Sequence, residues 1–295
     1  MHAIRMRLKH LSRVGAIVGL VLGMLPVTSH AEVPPLRSRE VVYKRVGGAD
    51  LRLHVFGVGD DPATPPRPGI VFFFAGGWKT GTPEQFFAQC EYLAARGMVA
   101  VSAEYRIASV HQTTPREAVQ DAKSALRYLR QNAGSLGLDP SRLVAAGGSS
   151  GGHLAAACAL VPEFDEPGES LETSCRPDAL ILFNPVIDTS PSEKGGYGHN
   201  RMKEYSNAIS PQEHIRAGLP PTLFLIGSKD RLIPLTTALR FQRTMEEQGN
   251  RCDLFIYGGA DHGFFQYKKR ERGHYAQTVA AVDAFLVSLG FLSPR

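Results

Sequence analysis

The chain has 295 residues, 43% of them hydrophobic and 21% charged, an ordinary globular composition with length for one large α/β domain. Its formal charge of +5 belongs mostly to the first 31 residues, where Arg5, Arg7, Lys9 and Arg13 stand unopposed by any acid and leave the remainder at +1. That balance argues against both nucleic acid and membrane lipid as charge-driven partners.

The four basic residues precede an apolar run from Val14 to Val27, short for a membrane span, and Ser29 and Ala31 give the small-x-small pattern of signal peptidase sites. Residues 1–31 are therefore expected to be a secretory signal cleaved before Glu32, with residues 32–295 as the mature domain in a secreted or periplasmic setting and no lasting membrane anchor. Cys90, Cys158, Cys175 and Cys252 show neither CxxC spacing nor a paired His, so they are not read as a metal or redox site. In an oxidising compartment Cys158 and Cys175, which bracket one loop, are expected to form a disulfide.

Strand and helix signals then alternate to the end of the chain, the pattern of a mostly parallel sheet with helices on both faces. Strands are predicted at Val41–Arg45 and Leu51–Phe56 about a Gly47-Gly48 turn, and the Pro-rich stretch Asp60–Pro68 reads as a surface turn. Gly69–Phe74 is apolar throughout and belongs near the sheet centre. Thr82-Pro83-Glu84-Gln85 reads as a capping box opening a helix that ends near Gly97, and Met98–Ala103 as the next strand. Thr114–Glu117 repeats the box, followed by a helix whose buried face is Ala118, Ala122, Ala125, Leu126 and Leu129. A short strand, Leu143–Ala146, runs into GGSSGGHLAAACAL. Later strands are predicted at Ala179–Phe183, Thr222–Ile226 and Asp253–Tyr257, with helices near Thr236–Gln248 and Tyr275–Leu289. Residues 187–219 hold no sheet signal and form the lid candidate.

A serine nucleophile needs a sharp strand-to-helix turn flanked by small residues. Gly147-Gly148-Ser149-Ser150-Gly151 supplies one, but the frame Gly148–Gly152 centres equally on Ser150, so sterics leave both serines open. His262 follows a strand in the Gly-rich turn GGADHG, a better context than that of His54, His153, His199 or His214. Asp230 ends the preceding strand, with Asp253 and Asp261 as competitors and an Asx turn as its purely structural role. Gly76 and Gly77, after the central strand, can present amides to a developing oxyanion.

In this order, FFFAGGWKTG, AEYRIA, GGSSGGHLA, GSKDRLIP and GGADHGF resemble motifs of the acetyl-esterase and hormone-sensitive-lipase-like branch of the α/β-hydrolases. The resemblance implies the α/β-hydrolase fold and a serine esterase, with Ser149 as nucleophile, Asp230 as acid and His262 as base. It also implies Gly76, Gly77 and Ser150 as oxyanion donors, Trp78 as a substrate contact, and chemistry that requires no cofactor. The expected substrate is a small-molecule or carbohydrate ester with a short acyl group, including acetylated or feruloylated sugars. Phe74 and Ala75 depart from the family's His-Gly, and the few residues between Glu32 and the first strand leave no room for a helical cap, so an open site is expected. Two other readings share this core: a prolyl-oligopeptidase-like peptidase, which the chain is too short to complete with a propeller, and a non-catalytic ligand receptor. The Ser, Asp and His set argues against the receptor.

Overall fold

The computed structural model describes residues 38–58, 65–191, 196–268 and 274–295. The leader 1–31 and most of the Pro-rich turn lie outside the described residues.

Eight strands form one sheet: β1 (Arg39–Val46), β2 (Ala49–Phe56), β3 (Arg67–Phe73), β4 (Val99–Ala103), β5 (Leu138–Gly148), β6 (Ala179–Phe183), β7 (Thr222–Gly227) and β8 (Cys252–Tyr257), in the order β1-β2-β4-β3-β5-β6-β7-β8. β2 is antiparallel to both neighbours, and the strands from β4 across to β8 are parallel. Gly47 and Gly48 take φ of 55° and 77°, the left-handed pair that a tight hairpin turn demands. Ile70, Val71, Phe72 and Phe73 are fully buried, as their unbroken apolar run requires at the sheet centre.

Five longer helices cover the sheet: α1 (Phe87–Ala95), α2 (Pro115–Gln131), α3 (Ser150–Leu160), α4 (Leu235–Glu247) and α5 (His274–Ser288). The capping box at Thr114 forms as predicted, and all five residues of the predicted α2 face are buried. The one expected at Thr82 does not. Pro83–Phe86 is a 3₁₀ turn without a side-chain cap, because the Gln85 carbonyl oxygen accepts instead from the Ala75 amide at 2.7 Å. Among the described residues no helix is long and apolar enough to cross a membrane.

The expected Cys158–Cys175 disulfide is not formed; all four cysteines are free thiols. The loop does bring the two together, but the Cys175 sulfur faces the backbone carbonyl of Cys158 at 3.9 Å rather than its sulfur. Burial pushes the Cys158 thiol well above its ordinary range.

The chain leaves β3, forms β4 on one side, then crosses to β5 on the other. At such a switch point the loops at the carboxyl ends of the strands diverge and leave a crevice. Phe73 is in register with Gly147, and Gly148 with Phe183, so the loops after β3, β5 and β6 leave the sheet side by side.

Candidate active site

Ser149 stands between β5 and α3 at φ 51°, ψ −116°, a conformation a non-glycine residue holds only when its surroundings impose it. Its N–H donates to Phe183 O at 2.9 Å, and its carbonyl accepts from the amides of His153 and Val186, each at 3.0 Å. Gly151 permits the close approach that sharpens the turn: a Cβ there would lie 2.0 Å from Phe73 O. The turn separates the two candidate serines. Ser149 lines an open cleft of about 390 Å³, whereas Ser150 is fully buried with its hydroxyl accepting the Gly76 amide at 3.1 Å.

Asp230, three residues past β7, accepts on one oxygen from the amides of Leu232 and Ile233 at 2.8 and 3.0 Å. Its other oxygen accepts from His262 Nδ1 at 2.7 Å, so the Asx-turn role and the imidazole partnership coexist in one side chain. The carboxylate is 1% exposed and the imidazole 21%. With Nδ1 as the donor, Nε2 is left as an acceptor. The rival Asp253 is ion-paired to Arg251. Of the other histidines, His199 contacts the Ser206 hydroxyl and His214 the Ala208 carbonyl, while His153 is buried and donates to Ile209 O at 2.9 Å. Burial lowers the His153 pKa to about 4, which keeps that ring neutral. His262 lines the same cleft as Ser149.

The loop after β3 is held residue by residue, which accounts for the departure at Phe74 and Ala75. Phe74 stacks on Tyr105 with centroids 4.1 Å apart, and the Tyr105 hydroxyl donates to Phe74 O at 2.8 Å. Ala75 N–H is taken by Gln85, and Gly76 N–H by Ser150 Oγ. Gly76 O accepts from the amides of Lys79 and Thr80, and Gly77 O from the Arg201 guanidinium. The Gly76 amide, expected as an oxyanion donor, is thus directed at Ser150.

Trp78 is not a cleft residue. With φ 57° and 2% exposure it turns inward, where its ring meets His153 edge-on at 5.2 Å. The cleft wall comes instead from Tyr197 and Arg201 of the 187–219 segment, whose described residues carry only short helical turns such as His199–Met202. The sequence reading gave no site role to Gln85, Tyr105, Arg201 or Asn184, the last of which follows β6 directly. The strand-end rule that pointed to Asp230 and His262 points equally to Asn184, whose Nδ2 lies within 3.3 Å of both His262 ring nitrogens.

Comparison with known proteins adds identity to this geometry. The BD-FAE family model matches residues 60–245. Esterase LipC of Mycobacterium tuberculosis is 30% identical over 254 residues, 75% of this chain and 62% of that protein. An acetylxylan esterase of Xylanibacter ruminicola is 29% identical over 218 residues, 69% of this chain and 42% of that protein. The chain therefore spans less than two thirds of either curated relative. Among solved structures, Thermogutta terrifontis esterase 2 phosphorylated by paraoxon is 43% identical, with a TM-score of 0.82 over 90% of this chain and 98% of that one.

Proposed function

Because this chain belongs to the BD-FAE family of α/β-hydrolase esterases, we propose that it is a serine carboxylesterase acting through Ser149, His262 and Asp230. The observation that carries the reading is the 2.7 Å Asp230–His262 pair, whose imidazole lines one cleft with Ser149 on its strained turn. His262 Nε2 takes the Ser149 proton as the hydroxyl attacks the ester carbonyl, and Asp230 supports the imidazolium that forms. The imidazolium returns the proton to the leaving alcohol, and water repeats the cycle on the acyl-enzyme. The amides of Gly77 and Ser150 are assigned to the oxyanion, and Gly76 to bracing that pocket through Ser150 Oγ.

Short acyl groups suit this cleft, in which Tyr197 and Leu232 are the larger apolar side chains. Structures of the Thermogutta terrifontis esterase 2 are described with propionate and with butyrate bound, which supports the same preference here. The acetylxylan esterase among the relatives supports acetylated carbohydrates as substrates. We assign residues 1–31 to an export signal, so the mass of the mature protein should begin at Glu32.

The test is hydrolysis of a nitrophenyl ester series together with fluorophosphonate labelling. Activity should be greatest on acetate to butyrate, abolished by the label, with the modified peptide carrying it on Ser149. A higher kcat/KM on decanoate overturns the short-acyl assignment, and a label on another residue overturns the triad.

A further inference from the structure

The cleft is charged in one sense. Lys79 and Arg201 both line it, and among the described residues no Asp or Glu side chain shares the lining. Nor is either cation ion-paired within the described residues, whereas Lys44, Arg106 and Arg127 elsewhere each sit against a carboxylate at 2.7 to 3.1 Å. Two positive charges with no carboxylate partner among the described residues, beside a nucleophile, are unusual for a site that handles only neutral esters, because they attract the carboxylate product as well.

Their positions are fixed from the backbone outward. Lys79 belongs to the loop after β3, where its N–H donates to Gly76 O and its carbonyl accepts the Ser109 amide, each at 3.1 Å. Arg201 reaches in from the opposite wall and rests one nitrogen on Gly77 O, which pins the guanidinium to the loop assigned to the oxyanion. A guanidinium carries five N–H donors, so one anchored in this way still offers a fork to a second anion. Both side chains are solvent-exposed, so salt will screen them, and their effect belongs to capture of substrate more than to the chemical step.

We infer that this site selects esters bearing a second, anionic group close to the scissile bond, a carboxylate on either the acyl or the alcohol part, with Arg201 as its main contact and Lys79 reinforcing the field. The inference rests on the esterase reading of the same cleft and narrows its substrate class. Hemi-esters of dicarboxylic acids represent the acyl-side source, and acetylated acidic sugars or hydroxybenzoates the alcohol-side source.

The experiment compares matched neutral and anionic esters in the full-length protein. Nitrophenyl butyrate against nitrophenyl hemisuccinate probes the acyl side, and para-acetoxybenzamide against para-acetoxybenzoate the alcohol side. The readout is the anionic-to-neutral ratio of kcat/KM in wild type relative to the double variant Arg201→Gln/Lys79→Gln. Intrinsic reactivity and active fraction cancel in that ratio, so a poorly folded variant remains informative. At low salt the ratio should fall by roughly tenfold in the variant on at least one arm, the lower end expected of a cleft lined by one sign of charge. The wild-type advantage should shrink as NaCl rises, and Arg201→Glu should depress the ratio further. Lys203, which lines a different cleft beside Asp188, provides the control, and Lys203→Gln should leave the ratio in place. An unchanged ratio in the double variant on both arms, or an equal fall in the Lys203 control, overturns the inference. Failure of the wild type to hydrolyse nitrophenyl butyrate would instead remove the esterase reading itself.

Discussion

The side-chain nitrogen of Asn184 lies 3.3 Å from Nδ1 and 3.2 Å from Nε2 of His262, which places the amide over the face of the imidazole. In the ring plane, equal approach to both nitrogens at that range would drive it into Cε1. Asp230 therefore holds the ring by an edge and Asn184 by a face, and the two contacts oppose different rotations. Asn184 is fully buried at φ 36°, a conformation Asn adopts more readily than most residues.

If the face contact positions the base, Asn184→Gly keeps the backbone conformation but frees the ring. Its kcat should fall by roughly 10²-fold with KM little altered, the scale of a misplaced catalytic group. Steady-state kinetics decide the matter, and a kcat within twofold of wild type would remove Asn184 from the mechanism.

Ser149→Ala should lower kcat by roughly 10⁴ to 10⁶, as for loss of a triad nucleophile. Ser150→Ala keeps its own amide but strips the Gly76 N–H of its acceptor, so a loss of about tenfold is expected, well below that for removing an oxyanion donor outright. Fluorophosphonate should still label the Ser150 variant at Ser149. A Ser150→Ala enzyme as inactive as Ser149→Ala would show that the hydroxyl does more than brace the loop.

Gln85 serves the Ala75 amide only as an acceptor. Gln85→Glu should therefore retain most activity, while Gln85→Leu should lose about tenfold in kcat/KM by leaving a half-buried N–H unsatisfied, at the lower end of the range of about 1–3 kcal/mol for a fully buried group. Equal loss in both variants would contradict this account of the loop.

His153 gives stability a pH dependence of defined sign. Its pKa is about 4 in the folded protein against 6.5 ordinarily, because burial disfavours the charged ring. The unfolded chain takes up this proton below about pH 6.5 and the folded chain only below about 4, so the contribution is complete above the upper value and is lost as pH falls through that window. The full difference is about 3 kcal/mol. Urea unfolding of wild type and His153→Gln at pH 7.5 and 4.5 should show the wild type losing more stability on acidification, and parallel losses would refute the assignment.

The fold was legible because its two periods are clean: the continuous apolar run of β3 and the alanine stripe of α2 each permit one burial pattern. The pairing of Asp230 with His262 was legible because strand-end position depends on chain order alone. What stayed hidden depends on side chains meeting across long separations. Gln85 read as a local cap until the loop after β3 claimed its oxygen, and Trp78 read as a cleft residue until its positive φ turned it onto His153. The Cys158–Cys175 expectation captured proximity but not the direction of the sulfur, which spacing along a chain does not encode.

The register of β3 with β5 has a consequence for how activity is acquired. The loop after β3 meets the turn after β5 only because Phe73 pairs with Gly147, and Asp230 and His262 arrive later still, behind β7 and β8. Contacts of such sequence separation carry a loop-closure cost and form slowly relative to local structure. Recovery of hydrolysis during refolding should therefore lag the return of helical signal and coincide with closure of the whole sheet, making catalysis a reporter of the last topological step.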